Sequence, residues 1–532
     1  MDSMRRIECI CDVSLPRLAW CAVLTESDNT FFVHHGSWIE LDDSSFVEGA
    51  WSGPYIKMGF PHALTFTGSG ATVTSDGVLF ATPTHSVDSL YVLRVGKRLH
   101  CSNSLRHVLA SADDDIDPSY MFYDVDINLY KFGIEPPPTA RVPTRNRNWV
   151  TIHRCCNFIV GKDLTVSLLP KRHRGAFRDY SDYRIFVNEQ VLLTIENSAD
   201  PQRSIRYIPL STISTGYDST AVSVIARAAG CREYLTFHTA SDGSNDSGKR
   251  IGHILGLNVS EYDPDAYHTR NDLPEAEFAA TGGSGGSVVM TACEQELCGK
   301  MLLTGHYGDE IWERANEDRT DTVTGAAGSD MIYFRTRVGF LHLPVPSIGY
   351  SEFISIKKIA NSREMCPWRL QRSEYDRPIP RRIAEEVGVP SELFGQRKKI
   401  VVRSLRSSGA VVIGEPDLNA VMAPNSYRNF SQWTEQTSLF SNAFDRWSFA
   451  LLHKLYWFNV RVIRSRKVRT AAKHLRIAVP TRSWIPARFA KQRVRHRLLF
   501  HWGMEQIKVR YSSVLLSYPR RASNDTSGAG AI

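Results

Sequence analysis

Between residues 203 and 304 short apolar runs alternate with helical segments, and this alternation restricts the fold more than any other feature of the chain. The run "RSIRYIPLSTI" carries the β-branched and apolar residues of a buried strand, and "STAVSVIARAA" spaces its apolar residues at helical intervals. Further on, "EYLTFHTA" reads as a strand, "DSGKRIGHILGL" as a helix, "NVSEYD" as a strand edge, "GGSVVMTACEQELC" as a helix after a glycine turn and "KMLLTG" as a strand. Such a series predicts a parallel sheet covered by helices, with ligands at the carboxyl ends of its strands.

Two loops fall at that edge. The first, "STGYDS" (Ser214–Ser219), lies between a strand and a helix N-terminus, where free backbone N–H groups point into the loop. Ser214, Thr215, Gly216 and Ser219 add hydroxyls and close backbone approach, so a phosphate or pyrophosphate is the expected guest. The competing reading is a plain junction in which Asp218 or Ser219 serves only as an N-cap. The second loop, "TGHYGDEIW", again sets acids beside glycine after an apolar strand. An aspartate on each loop suits a nucleotide whose phosphates are bridged by Mg²⁺.

A chain of 532 residues exceeds one ordinary core, which predicts two or three domains. Residues 1–190 read as β-rich, with "LAWCAVLT", "NTFFVHHGSWIEL", "HALTFTGSG", "GVLFATPT" and "SLYVLRVGKRLHCSNS" among the short strands and "SLRHVLASA" as a helix. Residues 112–150 read as connections, and "FRDYSDYRIFVNEQVLLTIENSA" as the helix leading into the first loop. Beyond residue 340 helices are expected at "SEFISIKKIA", "IPRRIAEEVG" and "FDRWSFALLHKLYWFNV", and the tail "SNDTSGAGAI" is expected to be disordered. No transmembrane run and no signal peptide are read, and ten scattered cysteines without a Cys-x-x-Cys pair fit reduced thiols in the cytoplasm. The net charge of +8 is concentrated between Arg461 and Arg510. That stretch reads either as contact with an anionic surface or nucleic acid, or as solvated helix faces.

On these motifs the chain resembles the asparagine synthetase-like branch of the PP-loop ATP pyrophosphatases. The family loop S-G-G-x-D-S is matched by Ser214, Gly216, Asp218 and Ser219, with Thr215 at the first glycine and Tyr217 at the variable position. The second family loop, S-G-x-G-x-D-E-hydrophobic-aromatic, is matched in register by "TGHYGDEIW": Gly305, Asp309 and Glu310 hold their positions and Tyr307 replaces a glycine. "FGQRKKIVV" supplies Arg397 and Lys399 for the R-x-K element. The resemblance spans roughly residues 190 to 405.

It implies an ATP-dependent, AMP-forming amide-bond synthetase, which adenylates a small-molecule or peptide carboxylate and passes the acyl group to ammonia or a substrate amine. Asp218 and Asp309 would hold Mg²⁺, the Ser214–Ser219 loop and Gly305 would bind ATP and pyrophosphate, and Lys399 would offset charge at the phosphate and acyl centres. His306 stands where relatives carry a glutamate or tyrosine that handles the amine proton. Glu352, in "GYSEFIS", is the expected partner of a His306–Glu352 dyad, as in β-lactam synthetases.

The implied fold is α/β: a parallel-sheet PP-loop synthetase domain (191–405), preceded by a degenerate N-terminal-nucleophile (Ntn) glutaminase-like β-rich α+β domain (1–190) and followed by a helical basic C-terminal extension (406–532). Position 2 is Asp2 rather than the family's nucleophilic cysteine, so no glutaminase activity is expected. A catalytically impaired nucleotide-binding scaffold and a PP-loop enzyme acting on RNA are the alternatives.

Overall fold

Trp20, Ala22 and Leu24 recur with period two along one strand, and Val78 and Phe80 do so along another, the spacing of strands that bury a face. They meet in a single buried core with Phe46, Ala71 and Phe158, between two stacked sheets. The computed structural model describes residues 5–120, 122–128, 140–314, 329–370, 375–405, 417–437, 451, 454–455 and 494–514. From edge to edge the first sheet runs Arg6–Cys11, Thr30–His35, Trp20–Thr25, Arg98–Ser102, Leu90–Val95, Trp149–His153 and Ala140–Pro143. The second runs Val166–Pro170, Cys156–Val160, Gly77–Ala81, Phe66–Thr74, Ser45–Trp51 and Glu40–Asp42. All pairings are antiparallel except that of Arg6–Cys11 with Thr30–His35.

Helices cover the outer faces of this sandwich. Helix Tyr180–Ser198 starts at Asp179, whose carboxylate accepts the Asp182 N–H at 2.9 Å. It lies against the second sheet, where Asn197 Oδ1 accepts the Trp51 N–H at 3.2 Å and Gln190 Oε1 accepts the Thr65 hydroxyl at 3.1 Å. On the other side, helix Leu105–Ser111 shares a core with Tyr91, Leu93 and Ile152 of the first sheet and with Phe500 and Met504 of helix Val494–Gln506.

The alternating region forms a five-stranded parallel sheet in the order Asn258–Tyr262, Glu233–Phe237, Ile208–Thr212, Lys300–Thr304, Leu341–Pro344. The chain starts on the central strand, builds outward on one side, and returns to build on the other. The connections therefore diverge between Ile208–Thr212 and Lys300–Thr304, and a crevice opens beyond their carboxyl ends. The structure is thus mixed α/β, with a β-rich amino-terminal region and one parallel sheet.

Several local expectations change. The segment expected as a helix after the glycine turn is a 3-10 stretch, Gly286–Cys293, ending in a single α turn, Glu294–Leu297. Within residues 112–150, Ala140–Pro143 forms an edge strand and Tyr123–Asn128 a helix. The helix expected at residues 444–460 lies almost wholly outside the described residues, and the terminal tail and the basic stretch up to residue 493 lie outside them entirely. In the described end of that stretch, Lys508 pairs with Asp115 at 2.8 Å, Arg510 pairs with Glu277, and Arg497 is buried. Those cations serve internal contacts. Among the described residues no helix is long and apolar enough to cross a membrane.

Candidate active site

At the switch point the strand Ile208–Thr212 gives way to Ser214–Gly216 and then to helix Tyr217–Ala228, whose N-cap is Gly216. The first-turn amides of this helix have no intrahelical acceptor and open toward the crevice. Hydroxyls hold the turn closed: Ser214 Oγ meets Ser219 Oγ at 2.7 Å and accepts the Gly216 N–H at 3.1 Å, and Thr220 Oγ1 donates to the Gly216 carbonyl at 2.8 Å. Thr215 gains a function from its side chain. Its hydroxyl bonds to Asp246 Oδ1 at 2.5 Å and accepts from Lys399 Nζ at 2.9 Å, while Lys399 also reaches the Asn245 carbonyl at 2.6 Å. Lys399 thus sits against the first loop, although 184 residues separate it from Thr215.

The second loop packs directly on the first. A Cβ at Gly305 would stand 2.8 Å from the Asp218 backbone, and one at Gly308 would overlap the Asp218 carboxyl carbon. Only glycine permits this approach at either position. Tyr307 holds a left-handed backbone at φ +72°. That conformation costs a bulky L-residue about 1–3 kcal/mol, which its surroundings must offset.

Both loops border one cleft of about 400 Å³, lined at its polar end by Asp218, Asp309, His306, Asp330, Arg377 and Lys399 and elsewhere by Leu235, Phe237, Val289 and Met290. Burial pushes the Asp218 carboxyl up to about 6; the Arg377 guanidinium opposes this and Asp309 adds to it. Asp218 Oδ2 pairs with Arg377, and Oδ1 is buried with no hydrogen-bond partner among the described residues. Asp309 Oδ2 lies 3.3 Å from Lys398 Nζ.

His306 Nδ1 is also buried and without a partner among the described residues. Its ring meets His342 edge-on at 5.2 Å. Burial lowers the His306 pKa, against the pull of Asp330 and Asp309, which favours the neutral imidazole. Asp330 is fixed by Ser287, which donates its hydroxyl at 2.7 Å and its N–H at 3.2 Å.

The structure does not bring Glu352 to His306. Glu352 ends the turn Tyr350–Glu352, which follows Gly349 packed on Phe177 and Phe186, and it does not line the cleft. The acids acting on His306 are Asp330 and Asp309. Tyr217 is likewise turned away: its ring is fully buried and packs beneath Gly395, and its hydroxyl accepts from Arg381 Nη2 at 2.8 Å, leaving only its backbone to the loop. Arg397 pairs with Asp242 at 3.3 Å, outside this cleft.

Sequence reasoning missed Asp330, Arg377 and Asp246. For Asp330 a signal existed in "GGSGGS" (residues 282–287), whose Ser287 holds it. Arg377 carries none, since nothing local marks its pairing with an aspartate 159 residues earlier. Compared with known proteins, the chain matches no family model and no curated protein.

Proposed function

We propose that this chain is an ATP-dependent, AMP-forming carbon–nitrogen ligase of the asparagine synthetase-like PP-loop type, activating a carboxylate and transferring its acyl group to ammonia or a substrate amine. The observation that carries the reading is the direct packing of Gly305 and Gly308 on Asp218, which joins two acid-bearing strand-end loops at the switch point of one parallel sheet. Two stacked sheets with helices on both outer faces support a glutaminase-like fold for the amino-terminal region. All ten cysteines are free thiols, which accords with a cytoplasmic setting.

The residues fit Mg²⁺ arriving with phosphates. Asp218 Oδ1 is buried and unpartnered, Asp309 borders the same cleft, and no cluster of three or more His, Cys, Asp or Glu exists among the described residues to cage an ion with protein ligands alone. Held by these two aspartates, Mg²⁺ would neutralise phosphate charge during displacement at the α-phosphorus. The Ser214–Ser219 loop receives the pyrophosphate portion with backbone N–H groups and hydroxyls. Lys399, tied to Thr215, places a positive charge where the phosphate and the acyl oxygen become more negative. His306 Nδ1, neutral and unpartnered, takes the proton from the attacking amine, and Asp330 stabilises the resulting imidazolium. The ion pair of Asp218 with Arg377 favours a second reading, a nucleotide-binding scaffold in which the arginine permanently occupies the carboxylate.

ATP–pyrophosphate exchange across a panel of carboxylates separates the two. The ligase reading expects Mg²⁺-dependent, carboxylate-dependent exchange, and its absence across the panel favours the scaffold. In His306→Ala, exchange is expected to stay near the parent level while amide formation falls about a hundredfold; joint loss of both would move His306 into the nucleotide site. Lys399→Ala is expected to depress both half-reactions, by about a hundredfold. Selective loss of only one would restrict its role to that step.

A further inference from the structure

We propose that the amino-terminal sandwich sets the geometry of the catalytic loop through one buried contact between the hydroxyls of Ser86 and Tyr307, which makes these two positioning residues for His306 and Asp309. The proposal rests on the ligase reading for its kinetic consequence but not for the contact itself.

Connections between strands ordinarily run over the surface. The one that crosses from strand Gly77–Ala81 of the second sheet to Leu90–Val95 of the first is buried instead, and polar: His85, Ser86, Asp88 and Ser89 are each at most 6% exposed. Three of these side chains reach toward the parallel-sheet unit. Ser86 Oγ bonds to the Tyr307 hydroxyl, and Asp88 Oδ2 lies 3.3 Å from Arg335. His85 Nε2 meets Thr67 Oγ1 at 3.1 Å, and that hydroxyl donates to the His342 carbonyl at 2.5 Å.

Tyr307 is the residue that a displaced loop would carry with it. It stands between His306 and the turn Gly308–Ile311, and its carbonyl accepts the N–H groups of Glu310 and Ile311, both at 2.9 Å. Its left-handed backbone is unfavourable for tyrosine, and the ring, packed in the core with its hydroxyl bonded to Ser86, helps offset that cost. Gly305 and Gly308 leave no slack against Asp218. A loop released from Ser86 would therefore lose the placement of His306 and Asp309 together, with the nucleotide loop itself intact.

The test uses the full chain with Tyr307→Phe, Ser86→Ala and the double variant. Hydrogen exchange of amides 305–311, measured without ligands, is expected to speed up about tenfold in each single variant, the scale of one lost hydrogen bond, and no further in the double. With a carboxylate that supports turnover, kcat is expected to fall about tenfold while KM for ATP stays within about twofold. Unchanged exchange at 305–311 in either variant, or additive effects in the double, would overturn the contact. Faster exchange spread through the whole sandwich, or a shift in KM with kcat intact, would make it an ordinary packing contact and overturn the positioning role. If the parent protein shows no ATP-dependent reaction, the ligase reading falls, and hydrogen exchange still decides whether Ser86 tethers the loop.

Discussion

Asp218→Asn is expected to reduce Mg²⁺-dependent ATP turnover about a thousandfold while leaving the fold intact. The choice of asparagine follows from Arg377. Its side chain is only 4% exposed, its guanidinium donates to Asp218 Oδ2, and it also stacks over the Tyr375 ring at 4.7 Å. Removing the acceptor altogether would leave a buried cation unpaired, and a loss of activity could then reflect unfolding. The asparagine amide oxygen still accepts from Arg377, and the side chain keeps the shape against which Gly305 and Gly308 pack. What disappears is the negative charge, which a divalent cation needs and a packing contact does not. Pyrophosphate release measured against Mg²⁺ concentration, beside a thermal melt within a few degrees of the parent, checks both halves. Turnover at the parent level would remove Asp218 from the metal site and with it the PP-loop assignment.

The parallel sheet was legible because each strand and helix is specified locally. "EYLTFHTA" and "KMLLTG" contain the strands Glu233–Phe237 and Lys300–Thr304, and "DSGKRIGHILGL" contains the helix Lys249–Leu255. The position of the two loops followed from the same alternation, since any parallel strand delivers its carboxyl end to the same edge. Side-chain pairings across the fold were not legible. Glu352 was attractive because of its neighbours in sequence, yet the turn that carries it packs toward helix Tyr180–Ser198, while Asp330 acts on His306 through its charge from a segment with no recognisable motif. Residues 286–293 read as helical from their apolar spacing. Residues 400–405 pack closely on Gly285 and Gly286, where a Cβ would collide with Leu405 and Val402, and the segment runs as a 3-10 stretch instead. Tyr307 looked like a departure from a glycine motif. Its backbone keeps the conformation that glycine would adopt, and its ring finds a partner 221 residues away in Ser86.

Glu48→Gln is expected to destabilise the protein by about 3–5 kcal/mol, because Glu48, unlike the cleft-facing Asp218, is wholly enclosed and nothing can replace its charge opposite Arg335. Glu48 lies on the second sheet and is 1% exposed, as is Arg335. Its carboxylate accepts two guanidinium bonds from Arg335, at 2.8 and 3.1 Å, one from the Ser69 hydroxyl at 2.8 Å and one from Asn103 Nδ2 at 3.3 Å. Asn103 also accepts the Trp20 N–H at 3.1 Å, so one carboxylate joins both sheets of the sandwich to helix Ile332–Val338 beside the cleft. Asp88 is the weaker partner. Burial raises its carboxyl to about 6, with Glu48 adding to the rise and Arg335 opposing it. Between the free carboxyl value and 6 the folded chain holds a proton that the unfolded chain releases, so this group's contribution grows as pH falls from 6 toward 4 and is lost above 6. Asp88→Asn should therefore cost little at pH 8 and should remove that increment between pH 6 and 4. Urea titrations of the parent, Glu48→Gln and Asp88→Asn at pH 8 and pH 5 measure both effects. Equal losses for the two substitutions at pH 8 would mean that Arg335 depends on both acids alike, and a parent-minus-Asn difference that does not change with pH would exclude Asp88 as the titrating group.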